Sequence, residues 1–129
     1  MAADMPHLNL VAAWLGLLLA FGSGCILGLG FHRETWLGGY GSLQRRLYRL
    51  GHISFFGLAA VNFMFFVTAR LGGLNGPGTD AASISLLLGA ISMPACCFLM
   101  AHFPRVHMLF AVPVLSLICG AVLTIRGLL

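Results

Sequence analysis

The chain has 129 residues, of which 60% are hydrophobic and only 8% are charged. Soluble domains average about 45–50% apolar and about 25% charged residues, so this composition excludes an ordinary water-soluble domain. The net charge of +4 comes entirely from scattered arginines, whereas nucleic-acid binding requires a clustered basic face. The composition therefore predicts an integral membrane protein whose main partner is the lipid bilayer and which binds no nucleic acid.

Four apolar stretches follow one another along the chain, and each is long enough to cross a bilayer as a helix. A span needs about 20 predominantly apolar residues, and a helix satisfies its backbone hydrogen bonds within the lipid. We expect the second helix to begin ahead of its apolar stretch, with Ser42 as its N-cap. The predicted fold is all-α, a single polytopic domain over residues 1–129. Its four-helix bundle has spans at about 8–31, 48–70, 82–103 and 106–126.

Glycine and proline separate the later spans. A glycine-rich segment, predicted to be an exposed loop from Gly72 to Asp80, divides the second span from the third. Pro104 and Arg105 lie between the third and fourth stretches, which together would make a helix about twice as long as a bilayer is thick. We therefore predict a tight hairpin at Pro104 instead of one long helix.

The arginines predict the orientation of the bundle. Five of them (Arg33, Arg45, Arg46, Arg49 and Arg105) lie on one side of the predicted spans, and two (Arg70 and Arg126) lie on the other. Arginine-rich loops stay in the cytoplasm, so both termini are predicted to be non-cytoplasmic. We expect the arginines that precede the second apolar stretch to reach into the lipid headgroups. The compact architecture suggests a multi-pass protein of a bacterial inner membrane.

Small residues recur at helical spacing in every span. Because lipid removes most of the hydrophobic drive between helices, close backbone approach decides how such helices pack. Asn62 is the one strongly polar side chain near the middle of a span, and we expect it to hydrogen-bond to another helix. The predicted packing residues are Ala20, Gly24, Gly28, Gly57, Asn62, Gly89, Ser116 and Gly120.

Four histidines lie near the predicted cytoplasmic face, one from each helix. They are His32, His52, His102 and His107. Imidazole is a common transition-metal ligand and an axial ligand of haem iron, and facing helices of a bundle can enclose such a centre. The pattern raises the hypothesis of a haem b or metal site, with His52 as its foremost ligand because it lies inside an apolar helix. The alternative is that these histidines are solvated at the membrane interface.

Sulfur-containing residues form a second candidate site on the third helix. Met93, Cys97 and Met100 lie on one face of that helix, and soft sulfur ligands select Cu(I). The alternative is that they are ordinary packing residues. All four cysteines of the chain lie within apolar stretches, which is not the pattern of a disulfide-stapled secreted domain.

The sequence favours a role without catalysis. No carboxylate lies in any predicted span, and there is no phosphate-binding loop or nucleophile elbow. We expect a small helical subunit or scaffold of a membrane complex, which associates with other membrane subunits or with itself. A cytochrome-like protein using the histidines is the first alternative, and a small transporter is the second.

Overall fold

The computed structural model describes residues 4–129, and every regular element in that range is helical. Four helices are long and apolar enough to cross a membrane, so the predicted all-α chain with four apolar helices is confirmed. The helices are α1 (Met5–Phe31), α2 (Leu43–Leu71), α3 (Pro77–His102) and α4 (Ala111–Leu128). Two 3₁₀ segments lie between them, at Trp36–Gly38 and Pro104–Phe110.

The helix ends follow from local chemistry. The side chain of Ser42 accepts a 3.1 Å hydrogen bond from the backbone N–H of Arg45, so Ser42 is the N-cap of α2 as predicted. The expected loop from Gly72 to Asp80 is too long, because α3 already begins at Pro77. Proline suits the first helical position, where its missing N–H would have no partner.

The hairpin at Pro104 separates α3 from α4, as predicted, but α4 begins later than its apolar stretch. Residues Pro104–Phe110 form a 3₁₀ segment, with a departure from helical backbone angles at Val106. The regular α-helix begins only at Ala111. This tighter segment turns the chain so that α4 packs back along α3.

Helices α2 and α3 form the centre of the bundle. Helix α1 packs against both, and α4 packs mainly against α3. A small core joins Phe65 of α2 to Ala82 and Leu86 of α3, with Leu117 and Leu123 of α4 against it. The bundle is not closed: an apolar groove of about 410 Å³, lined by residues such as Gly16, runs between α1, α2 and α3.

A buried polar cluster joins three helices in the half of the bundle that contains the termini. The side-chain nitrogen of Asn9 donates to the side-chain oxygen of Asn62 at 2.7 Å, and the hydroxyl of Ser83 donates to the side-chain oxygen of Asn9. The side-chain nitrogen of Asn62 donates to the carbonyl of Leu58 at 2.8 Å. Asn62 therefore bonds to another helix, as the sequence predicted.

Candidate functional site

His52 is held against α1 in a defined orientation. Its Nδ1 lies 2.9 Å from the hydroxyl oxygen of Ser23. The ring can come this close because the adjacent residue of α1 is Gly24, where a Cβ would lie 3.0 Å from Cε1 of His52. Gly24 is thus a packing residue, as predicted, and what it contacts is the imidazole.

The hydroxyl of Ser23 favours one tautomer of this imidazole. A serine hydroxyl has a single proton to donate, and Ser23 directs it to the carbonyl of Leu19, whose oxygen lies 2.6 Å away. With that proton engaged, the Ser23 oxygen is left to accept, so the contact favours the tautomer of His52 that carries Nδ1–H. In that tautomer Nε2 bears the lone pair, and within residues 4–129 it has no hydrogen-bond partner. A fixed Nδ1–H with a free Nε2 is the arrangement found in metal-ligating histidines.

His52 lines a groove on the outer surface of the bundle, between α1 and α2. The groove measures about 310 Å³, within the usual range for small-molecule sites, and is lined by Ala20, Phe21, His52, Ile53 and Phe56. Phe21, Ile53 and Phe56 are 65%, 58% and 56% exposed. We call this surface the His52 groove. It is an apolar surface whose lining includes one imidazole.

The other three histidines of the predicted ring do not join His52. Nε2 of His102 lies 2.9 Å from the hydroxyl of Tyr48, and the two rings meet edge to face. His32 caps the end of α1 and His107 lies in the 3₁₀ segment before α4, both exposed. Residues 4–129 contain no group of three or more His, Cys, Asp or Glu side chains placed to hold a metal ion. The structure thus gives no support to a metal cluster built from this ring.

The sulfur stripe of α3 is largely engaged in packing. Cys97 is fully buried, and a Cβ on Gly51 of α2 would lie 3.3 Å from its Cβ. Met93 and Met100 are partly buried on the same helix. Cys97 therefore occupies the α2–α3 contact, where packing accounts for its position without copper.

Arg45 departs from its expected place in the headgroups. Its side chain is only 1% exposed, and its guanidinium carbon lies 3.8 Å from the ring centre of Tyr40 and 4.8 Å from that of Phe31. Trp36 completes the enclosure at 5.8 Å. One nitrogen donates to the carbonyl of Glu34, whereas Nε and Nη2 have no hydrogen-bond partner. The expectation that Arg45 protrudes is wrong, because these aromatic faces attract the cation.

The segment between α1 and α2 is shaped to cover this arginine. Gly30 leaves space for Trp36, since a Cβ there would lie 2.6 Å from the indole ring. Leu37 has φ +51° and is followed by Gly38 and Gly39, also with positive φ. The sequence has three aromatic residues near Arg45, but their spacing alone does not predict that their rings surround its guanidinium.

The predicted packing residues fall into two groups. Ala20 is buried. At the α3–α4 contact the side chain of Leu117 packs against Gly89, and that of Leu86 packs against Gly120. Gly28 and Gly57 have no atom within 4 Å of a Cβ added at either position. The hydroxyl of Ser116 bonds to the carbonyl of Val112 in its own helix. Gly28 and Gly57 therefore leave open space beside their helices, and the hydroxyl of Ser116 joins no second helix within residues 4–129.

Comparison of the chain with protein-family models, curated protein sequences and solved structures finds no match, so its function has to be argued from its own residues.

Proposed function

We propose that the protein is a non-catalytic helical subunit of a membrane assembly. The observation that carries this proposal is the large apolar surface that the bundle leaves uncovered. In the most apolar 18-residue stretch of the fourth span, only 11% of the residues are buried inside the bundle. The corresponding share for the first span is 17%. Lipid can cover such surface, but small residues on it also let another helix approach closely.

Gly28 and Gly57 mark where such an approach is easiest. Neither has a neighbour within 4 Å of an added Cβ, so neither is occupied by packing inside the described chain. Glycine also weakens a helix interior, by about 1 kcal/mol relative to alanine. An open glycine in an apolar span is therefore best explained by close contact with a helix of another subunit or another copy.

Replacing these glycines with leucine tests the proposal. Gly28→Leu and Gly57→Leu should disrupt assembly, measured by cross-linking in native membranes and by size-exclusion chromatography with light scattering in mild detergent. Leu29→Phe is the control, because Leu29 is 78% exposed and already carries a large side chain, so no close helix approach depends on it. A protein that is monomeric and free of partners in native membranes would overturn the proposal.

A second candidate function is supported by the geometry of His52. In this alternative the protein would bind haem b, which His52 would hold through Nε2 while Ser23 orients the ring through Nδ1. Haem iron is bound by a neutral imidazole nitrogen with a free lone pair, and the Ser23 contact favours the tautomer in which Nε2 is that nitrogen. Here the protein would act in electron transfer.

Absorption spectroscopy of the purified protein tests this second candidate. We expect a Soret band that His52→Ala abolishes and that His102→Ala, the matched control, leaves in place. The control is informative because His102 is at a comparable end of the bundle but is paired with Tyr48. Protein that stays colourless after expression with excess haem would exclude the candidate.

A further inference from the structure

The apolar groove between α1, α2 and α3 is closed at one end. Its first lining residue on α1 is Ala12 and its first on α3 is Leu87. Ala12 follows Asn9 by three residues, and Leu87 follows Ser83 by four. Because Ser83 is hydrogen-bonded to Asn9, α1 and α3 are joined about one turn before the groove begins. We call this surface the α1–α3 groove, and it extends from the joined end toward the arginine-rich end of the bundle.

The length of the α1–α3 groove matches one leaflet of a bilayer. Its lining on α3 extends from Leu87 to Phe98, which a rise of about 1.5 Å per residue places about 17 Å apart along the helix. The hydrocarbon core of a bilayer is about 30 Å thick, so each leaflet contributes about 15 Å. Since α3 extends over Pro77–His102, its midpoint lies within one turn of Leu87. Most of the groove on α3 therefore lies at the depth of the leaflet on the arginine-rich side.

The width and lining of the groove suit a single hydrocarbon chain. A volume of about 410 Å³ over a length of about 17 Å corresponds to a width on the order of 5 Å. A helix with its side chains measures about 10–12 Å across, so it is too wide to occupy this space. Small residues such as Gly16, Ala90 and Ala95 leave the space open, and every lining side chain is apolar. A hydrocarbon chain has no hydrogen bonds to satisfy, so such a lining fits it.

Polar and cationic side chains lie beyond the other end of the groove. The ring of Tyr48 meets that of Phe98 edge to face, with 5.3 Å between centres, and its hydroxyl lies 2.9 Å from Nε2 of His102. Arg49 follows Tyr48 directly, and Arg105 lies three residues after His102. Both arginines are exposed, and neither forms an ion pair within residues 4–129. Exposed arginines at a membrane surface attract anionic lipid headgroups.

We propose that the α1–α3 groove binds one acyl chain of an anionic phospholipid, whose phosphate is attracted by Arg49 and Arg105. The length, width and apolar lining of the groove select a hydrocarbon chain of one leaflet, and the two uncompensated arginines select a negative headgroup. The other acyl chain of the same lipid lies in the surrounding bilayer. This inference goes beyond the proposed function and does not depend on it.

Native mass spectrometry of the full-length protein, titrated with lipid in mild detergent, tests this inference. The probes are phosphatidylglycerol and phosphatidylcholine with identical acyl chains. We expect one tightly bound phosphatidylglycerol per chain and binding of phosphatidylcholine that is weaker by about fivefold or more. Arg49→Gln and Arg105→Gln should each weaken phosphatidylglycerol binding about fivefold, which corresponds to about 1 kcal/mol per arginine near the surface. Arg126→Gln, at the opposite end of the bundle, is the control and should leave binding unchanged.

Filling the groove separates chain binding from attraction to the arginines alone. Ala95 is exposed and lines the groove, so Ala95→Phe should place a ring where the chain lies and weaken phosphatidylglycerol binding on the order of tenfold. Ala60→Phe is the matched control, because Ala60 is an exposed alanine of α2 outside the groove lining. Ala12→Phe fills the groove from α1 and replaces Ala95→Phe if that variant does not fold.

Three results would overturn the inference. They are equal affinity for the two lipids, unchanged lipid binding in the variants that fill the groove, and a wild-type protein that retains no lipid. None of these results would decide whether the chain is a subunit of a membrane assembly, since that proposal is tested by cross-linking at Gly28 and Gly57.

Discussion

The side-chain amide of Asn9 donates a 2.7 Å hydrogen bond to the side-chain oxygen of Asn62, and both side chains are at most 1% exposed. This bond joins α1 to α2 across positions far apart in the chain. Ser83 adds α3 to the same cluster through its bond to Asn9. The cluster fixes the relative rotation of three helices whose remaining contacts are apolar and therefore less specific in direction.

Loss of the Asn9–Asn62 bond should weaken the bundle measurably. In a double-mutant cycle with Asn9→Ala and Asn62→Ala, we expect a coupling of about 0.6 kcal/mol, the average for hydrogen bonds between membrane helices, and at most about 1.7 kcal/mol. The free energy of unfolding, measured in mixed micelles, gives this value. Ser92→Ala is the control, since its hydroxyl bonds only to its own helix. A coupling of zero would mean that the two amides act independently.

Arg45 should stabilise the segment between α1 and α2. Replacing it with methionine keeps most of the stem but removes the cation beneath Tyr40, Phe31 and Trp36, so we expect a loss of about 2 kcal/mol in unfolding free energy. The fluorescence of Trp36, measured in a Trp14→Phe background, should shift to longer wavelength as the indole becomes more exposed. Arg46→Met should change neither quantity appreciably, because Arg46 is exposed. Equal effects of the two substitutions would contradict this role.

The glycines of α3 and α2 should respond differently to alanine. A Cβ on Gly89 would lie 2.4 Å from a methyl carbon of Leu117, so Gly89→Ala should overpack the α3–α4 contact and cost about 1–3 kcal/mol. Gly57→Ala adds its methyl to open space and should stabilise the monomer by up to about 1 kcal/mol, because alanine is the better helix former. Thermal unfolding in detergent distinguishes the two, and a larger loss for Gly57→Ala would contradict the packing described above.

The arginine distribution predicts the side on which the chain ends. With five arginines on the side of the Pro104 hairpin and two on the other, both termini should be outside the cytoplasm. In bacterial cells, a C-terminal alkaline phosphatase fusion should then be active and a C-terminal green fluorescent protein fusion dark. The reverse pattern would show that the orientation is inverted. Removing the two arginines of the opposite side, by Arg70→Gln together with Arg126→Gln, enlarges the bias and should leave the predicted orientation unchanged.

Composition and the spacing of glycine and proline were sufficient to predict the four helices and the hairpin at Pro104. Helices of this length can be read from sequence because lipid leaves a spanning segment few ways to satisfy its backbone groups. The early start of α3 at Pro77 was missed, since the apolar stretch begins later than the helix. Helix ends depend on capping geometry, as at Pro77, and not on hydropathy.

The sequence by itself determined that this protein is a bundle of four apolar helices, because a composition that is 60% hydrophobic has few other stable solutions. Only the tertiary structure decided the partners of two histidines and of Arg45. It places His52 against Ser23 and His102 against Tyr48, and it turns Arg45 under aromatic rings instead of toward the headgroups. Those outcomes depend on the rotation of each helix about its axis, and that rotation is set by contacts between residues distant in the chain.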